Sequence, residues 1–310
     1  MPIPVLDEYY LGISILICLG WQICFFIGAS ITKSDKVTDF AYGTNFVGLC
    51  AILFAISQNY TPRNIIVFVF VGVWGLRLAL YLFARVVKEG KDARFDGTRD
   101  KFFKFMMFWI LQCITVWAIS IPFTVMFSRP LSPGLGWQDI LGIIIWAIGF
   151  LIETVADQQK FSFKNAPGNK SKMCTVGLWS ISRHPNYFGE SLCWWGLWSM
   201  ATSTFGPNFN DYLYFTVLSP LYVMTILLFL SGIPTLEEPW NKKYGKDADF
   251  RFYKKSVPPF VVFIPALYAK FPNSKEKRER KRKPCYIYFS LCSFETSFLL
   301  RVPIVQQGIR

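Results

Sequence analysis

Histidine occurs once in these 310 residues, at position 184, and the eight cysteines stand at no paired spacing. Zinc-type and redox-type ligand patterns are therefore missing, no metal is expected, and the cysteines, mostly inside apolar stretches, act as small hydrophobes. Cys285 and Cys292 are read as idle thiols in preference to palmitoylation sites. Period-two alternation of apolar and polar residues is also absent, which excludes a transmembrane β-barrel. No basic run precedes the first apolar stretch, and that stretch outlasts a signal-peptide core, so it is expected to remain as a membrane helix. Neither an internal repeat nor a linker long enough to separate independent domains is evident.

What is present is apolar surface: 53% of residues are hydrophobic and 18% aromatic, while the 17% that are charged gather in connecting segments. Runs of roughly 20 apolar residues are long enough to cross a bilayer, and they fall at about 9–31, 38–58, 64–86, 102–127, 137–157, 186–204 and 212–233. The expected fold is all-α, a polytopic membrane bundle of about seven transmembrane helices. Lys33, Lys36, Arg85, Lys88, Lys91, Arg94, Arg99, Lys101, Lys160, Lys164, Lys170, Lys172 and Arg183 collect on one side, against Arg63 and Arg129 on the other. Because basic residues accumulate in cytoplasmic connections, the N-terminus is expected to be lumenal or external and the C-terminus cytosolic.

The net charge of +13 follows from that asymmetry and from the tail, so anionic lipid headgroups are the expected counter-charge and nucleic acid is not. Three regions result: 1–35, the first helix and its loop; 36–265, the main membrane domain; and 266–310, a basic cytosolic tail. The tail's run SKEKRERKRKP at 274–284 is too polar to bury, and Glu295, Arg301 and Pro303 argue against an eighth span beyond it.

Chemistry concentrates after residue 136. The run Gly177-Leu178-Trp179-Ser180-Ile181-Ser182-Arg183-His184-Pro185-Asn186-Tyr187-Phe188-Gly189-Glu190 leads into an apolar, tryptophan-rich helix. Pro185 marks the helix start, because the first helical amides lack partners and a proline loses nothing there. Those free amides favour an anion, Arg183 and His184 add positive charge beside them, and Asn186 and Glu190 share one helical face. Upstream, Glu153 and Asp157 lie four apart on one face of the fifth apolar segment. Ionisable groups inside a membrane helix are costly without a wet cavity, a partner or a ligand, so this face is a functional candidate, the alternative being an interfacial helix end with Lys160 as local counter-charge. Convergence of these carboxylates and the imidazole on one water-accessible hollow is expected.

Arg77 lies about 12 Å deeper than Arg85 along one helix, facing either a cofactor or a carboxylate such as Glu153, or else a purely structural ion pair. Asp39, Tyr42 and Asn45 form a polar stripe with either a shared inward face or an interfacial role. After the seventh apolar run, Glu237-Glu238, Tyr244 and Tyr253 stand in a segment that either closes over the site as a lid, with the acidic pair fixing Arg183 or His184, or rests on the headgroups as an amphipathic helix.

The combination Glu153-Thr154-x-x-Asp157-x-Gln159-Lys160, then Gly177-Leu178-Trp179-x-x-Ser182-Arg183-His184-Pro185-Asn186-Tyr187-x-Gly189-Glu190, then Trp194 or Trp195 with Gly196, resembles an uncharacterised branch of the steroid 5α-reductase superfamily. Trp74-Gly75-Leu76-Arg77-Leu78 with Arg85 and Asp92-x-Arg94 fits the same branch, so the resemblance runs from about residue 40 to Pro265. It implies an NADPH-dependent reductase of a carbon–carbon double bond conjugated to a carbonyl in a steroid or other lipid, with its cofactor cavity among the C-terminal helices and open to the cytosol. Positions that match its cofactor-lining pattern are Glu153, Asp157, Asn186, Tyr187 and Glu190, and Lys164, Arg183 and His184 stand beside them as cofactor-binding candidates. Phosphates would meet Arg183, Lys164 or Lys172, and the donor to the substrate oxygen would be Tyr42, Arg77 or Tyr187. Glu153 stands where the characterised reductases resemble an amide, Lys164 where an arginine is usual, and the substrate-polarising Glu and Tyr of those enzymes have no counterpart in the first half. The superfamily also holds S-adenosylmethionine-dependent methyltransferases of isoprenylated cysteine or lipids, with a similar Arg-His-Pro corner and an acidic pair after the last helix. Two alternatives thus stand beside the reductase, a methyltransferase and a non-catalytic lipid-binding protein, and the expected location is the endoplasmic reticulum membrane.

Overall fold

The computed structural model describes residues 8–90, 95, 97, 100–129, 134–205 and 212–261. The tail at 266–310, Cys285 and Cys292, and the basic stretch with Lys91, Asp92, Arg94 and Arg99 lie outside the described residues. The described residues are helical, with no strand among them.

Five long helices come first: α1 (Leu11–Thr32), α2 (Thr38–Ser57), α3 (Pro62–Glu89), α4 (Phe102–Ser128) and α5 (Trp137–Asn165). All five are long and apolar enough to cross a membrane, as is the stretch Leu213–Tyr244. The remaining expected span is α6 (Pro185–Thr202), an 18-residue helix in which Asn186, Glu190 and the tryptophans dilute the apolar character. The protein is therefore a multi-pass membrane protein. Helix ends follow local chemistry: Thr61 caps α3 through its hydroxyl, with Pro62 in the first turn, and Asp139 reaches back to the Gly136 amide at 2.7 Å to start α5.

Two features depart from the expected spans. Helix α5 continues two turns past 157, which brings Lys160 and Lys164 onto the same rod as Glu153 and Asp157. The last apolar run is not one α-helix. It begins as a 3-10 turn (Tyr212–Val217), becomes α7 (Leu218–Thr225), widens into a π turn (Ile226–Leu230) and restarts after Gly232 as α8 (Ile233–Tyr244), followed by α9 (Ala248–Ser256). A proline cannot donate into a preceding turn, and Pro234 stands in the first turn of the restarted helix, where no such bond is lost, with the π turn just before it. The acidic segment, read either as a lid or as an amphipathic helix on the headgroups, is thus two short helices.

Helices α5 and α6 make the closest contact in the bundle because glycines face each other. A Cβ on Gly142 would stand 2.5 Å from the Gly196 carbonyl, and one on Gly149 2.6 Å from the Gly189 carbonyl. Two such pairs, seven residues apart on each helix, let the backbones touch as small-residue stripes do in membranes. A three-ring cluster of Phe46, Trp74 and Trp194, with centroids 5.0–5.4 Å apart, joins α2, α3 and α6 at the centre. At the end opposite His184, Arg63 forks onto Asp139 at 2.7 and 2.8 Å and is nearly inaccessible, so this basic residue of the sparse side is neutralised within the fold.

Candidate active site

The end of the bundle carrying His184 holds two polar groups, one between α3 and α5 and one at the start of α6. The first is built around Arg77, whose guanidinium spans two turns of α5: Nη1 meets Asp157 Oδ2 at 2.8 Å, and Nη2 pairs with Glu153 Oε1. Trp74, one turn before Arg77 on α3, donates its indole N–H to Glu153 Oε2 at 2.9 Å. Glu153 and Asp157 are 2% and 5% exposed, so charge held this deep depends on the planar fork of a guanidinium. Arg77 thus faces Glu153, and both its terminal nitrogens are taken.

Glu190, half-buried on α6, has the carboxylates of Glu153 and Asp157 and the Arg77 charge as electrostatic neighbours and no hydrogen bond of its own among the described residues. Tyr42 stands in the same electrostatic neighbourhood, with Glu190, Tyr222 and Glu153 around its hydroxyl and its ring edge-on to Phe46 at 5.2 Å. The stripe expected with it fans apart instead of sharing a face. Asp39 pairs with Arg85 at 3.2 Å, and Asn45 gives its amide to the Cys18 carbonyl of α1 at 3.4 Å. Three-residue steps on a helix rotate by about 60° each, so the first and last members of the stripe point some 120° apart.

The second group is centred on His184, which is wholly buried at the cap of α6. Its ring lies parallel to those of Tyr187 and Trp240, at 5.5 and 5.3 Å between centroids. Nε2 faces Glu237 Oε1 at 3.4 Å, and Nδ1 is buried with no partner among the described residues. Glu237 also pairs with Arg183 at 3.1 Å and Lys254 at 3.4 Å, whereas Glu238 turns outward to Lys242. The acidic pair is thereby split, one member fixing the corner and the other solvated. Backbone bonds complete the clamp: the Arg183 amide donates to the Pro258 carbonyl at 2.9 Å, and the Tyr253 hydroxyl to the Trp179 carbonyl at 2.6 Å.

Burial without a full counter-charge holds the His184 imidazole below its ordinary value of 6.5, the Glu237 contact opposing that shift. The unfolded chain then binds the proton that the folded chain refuses. The stability from a neutral His184 is complete above about pH 6.5 and falls as pH drops below it. Between pH 7.5 and 5.5 the wild-type melting temperature is expected to fall further than that of His184→Gln, and parallel falls in the two proteins would contradict a neutral buried ring.

Between these groups and the end of the bundle lies a small cavity of about 70 Å³. Its walls include Lys160, Lys164, Cys174, Trp179, Trp240 and Tyr244, and neither Glu153 nor His184 is part of them. The hollow is therefore displaced toward the helix end from where the carboxylates and the imidazole were expected to meet. Arg77 and Trp74 fill the space beside Glu153, and Trp240 covers His184. Lys164 is folded onto the loop after α5, donating to the carbonyls of Lys172 at 2.5 Å and Lys170 at 3.3 Å. Lys172 itself donates to the Asn169 side chain at 3.1 Å. Asn186 keeps a buried Oδ1 without a partner among the described residues, as does Thr154 its Oγ1.

Sequence reasoning left out Trp74 as the indole donor and Lys160, Trp179 and Trp240 as cavity walls. The three-residue spacing of Trp74 and Arg77 carries a signal for the first, since it puts both on one helical face. Nothing comparable marks Trp240, whose place depends on the break at Gly232.

Comparison with known proteins identifies the family. The profile of the family described as "Protein of unknown function (DUF1295)" matches residues 25–257. A Delta(14)-sterol reductase of Candida albicans is 30% identical over 209 residues, covering 63% of this chain and 43% of that protein. A steroid 5-alpha-reductase of Gossypium hirsutum is 29% identical over 126 residues, 40% of this chain and 43% of that protein. A probable O-methyltransferase of Ustilaginoidea virens is 48% identical over 46 residues, 15% of this chain and 16% of that protein. The chain thus spans less than half the length of these relatives. No solved structure matches it. With three quarters of its residues under one family profile and sterol and steroid reductases among its relatives, the chain belongs to the DUF1295 family of membrane proteins.

Proposed function

We propose that the protein is a membrane reductase that uses NADPH to reduce a conjugated carbon–carbon double bond in a steroid or other lipid. The observation that carries this reading is Glu190: a half-buried carboxylate without a hydrogen bond among the described residues, beside the unpartnered Oδ1 of Asn186, on a helix whose neighbour presents Glu153 and Asp157. Buried polar atoms normally find partners, so an unpartnered acceptor next to a carboxylate that has no hydrogen bond is suited to a polar ligand. The donor set fits a dinucleotide, with acceptors for ribose and amide groups at Glu190, Asn186 and Thr154, and cations for phosphate at Lys160, Lys164 and Lys172.

NADPH would supply the hydride when bound. The protein's own part is placement and charge. Glu190 and Asn186 hold the reactive end, while Arg77 positions Glu153 and Asp157 from behind. Reduction of an enone gathers negative charge on the substrate oxygen, and a hydroxyl donor inside the apolar bundle stabilises it far more than in water. Of Tyr42, Arg77 and Tyr187, Tyr42 suits this role best, because both terminal nitrogens of Arg77 are held by carboxylates and Tyr187 is stacked on His184. His184, Arg183 and Glu237 serve as the clamp that sets the start of α6. The protein is placed in the endoplasmic reticulum membrane, with the basic end of the bundle in the cytosol.

A second reading, an S-adenosylmethionine-dependent methyltransferase, draws on the short matched stretch of the O-methyltransferase and on the Glu237 contact to the Arg183-His184 corner. Thermal shift of the full-length protein in detergent separates the two, because a ligand that binds only the native state raises its stability. NADPH is expected to stabilise the wild type, and Glu190→Gln to weaken its binding by about tenfold, as for loss of one charge-assisted hydrogen bond. Stabilisation by S-adenosylmethionine alone would overturn the reductase, and stabilisation by neither would leave a lipid-binding protein.

A further inference from the structure

Helix α1 docks on the bundle through one narrow stripe, its buried residues Ser14, Cys18, Gln22 and Ala29. Polar groups along the stripe pair directly where they can. Trp117 of α4 donates its indole N–H to Ser14 Oγ at 3.1 Å, and Asn45 of α2 gives its amide N–H to the Cys18 carbonyl at 3.4 Å. Gln22 breaks that pattern. It is 2% exposed, and neither its Oε1 nor its Nε2 has a partner among the described residues.

Three further buried atoms of this kind lie on the turns around it. Gln22 stands one turn from Cys18 and one turn from Phe26. The Cys18 thiol neighbours Cys113 of α4, and the Phe26 ring lies 6.2 Å from that of Trp109, one turn earlier on the same helix. The turn of α4 that faces Gln22 is therefore 109–113. It carries the Trp109 indole N–H and Gln112 Oε1, both without a partner among the described residues. Asn45, held to Cys18, adds an unpartnered Oδ1 from α2. Two donors and three acceptors from three helices thus gather inside the membrane, where a polar atom left alone costs far more than at a wet surface.

Their chemistry restricts the occupant. No charged side chain stands on the facing turns 18–26, 41–49 and 109–116, so an ion would lack a counter-charge there. An apolar ligand would leave all five atoms unsatisfied, and a ketone or ether could serve only the two donors. A hydroxyl both donates and accepts. We infer that Gln22, Asn45, Gln112 and Trp109 bind a neutral hydroxyl group between α1, α2 and α4, and that this hydroxyl fastens α1 to the bundle. Two sources offer that chemistry, water and the alcohol group of a lipid. The site uses no residue of the Glu190 cluster and does not rest on the reductase reading.

The test is melting of the full-length protein in phosphatidylcholine nanodiscs, as wild type, Gln22→Met, Asn45→Leu and the double variant. An apolar replacement of an empty polar side chain raises stability, whereas removing one partner of a bound hydroxyl strands the others. Each single variant is expected to melt about 2–4 °C lower. The double variant should lose less than the sum of the two, because their coupling passes through the hydroxyl they share. Gln22→Met melting at or above the wild-type temperature, or strictly additive losses, overturns the inference. Trp109→Phe, which removes the indole donor and keeps a ring against Phe26, replaces a variant that does not fold. 1-Dodecanol and its methyl ether then separate the sources. Stabilisation of wild type by the alcohol alone, absent in Gln22→Met, identifies a lipid hydroxyl, and a coupled cycle without that stabilisation identifies water.

Discussion

Arg77→Ala is expected to remove about 3–5 kcal/mol of stability, the usual cost of stripping the partner from a buried charge. Its guanidinium is the cation that contacts both Glu153 and Asp157, whose side chains are 3% and 7% exposed. Truncation leaves two carboxylates one turn apart, facing each other's charge in a bundle that water barely enters. The Trp74 N–H still reaches Glu153, but a neutral donor compensates only a fraction of the loss. Melting of the full-length protein in detergent measures the effect, and the triple variant with Glu153→Gln and Asp157→Asn is expected to recover much of it. An Arg77→Ala protein as stable as wild type would mean that water or lipid headgroups reach the carboxylates, contrary to their burial.

Gly189→Ala is expected to damage the site more than the fold. A methyl group there would stand 2.6 Å from both the Glu153 amide and the Gly149 carbonyl, which are backbone atoms that cannot rotate away. Helices α5 and α6 must then separate, at a cost in the range of about 1–3 kcal/mol for overpacking a tight contact. The separation falls between Glu153 on one helix and Glu190 on the other. A misplacement of about 1 Å in a binding constellation can reduce activity by roughly 10²-fold, so ligand response is expected to fall by that order while melting falls only moderately. Comparable loss from Gly20→Ala on α1, where no atom lies within 4 Å of the added carbon, would remove the special status of Gly189.

The helical membrane architecture was legible because it depends on local quantities. Apolar run length marked α1 to α5 to within a few residues at most ends, and Pro185 located the start of α6. Periodicity likewise placed Glu153 with Asp157, and Asn186 with Glu190, on common faces. The broken last span was not legible: its apolar content is continuous from Leu213 onward, and the π turn and restart at Gly232 are responses to packing and to Pro234. The role of Glu237 against Glu238 was open for the same reason, since adjacent residues on a helix point about 100° apart and only the helix's rotation selects the inward one.

The sequence by itself determined that this chain is a bundle of membrane helices with most of its basic residues toward one end, because hydropathy, charge bias and helix-start chemistry act over a few residues. Only the tertiary structure decided which groups meet. Arg77 reaches Glu153 across 76 positions and Asp157 across 80, and Lys160 lies between an indole close by in the chain and another from α8. Helical period tells which face a side chain occupies. It carries no information about which helix lies opposite, and that pairing, set here by facing glycines and a three-ring aromatic core, is what turns scattered charges into a candidate site.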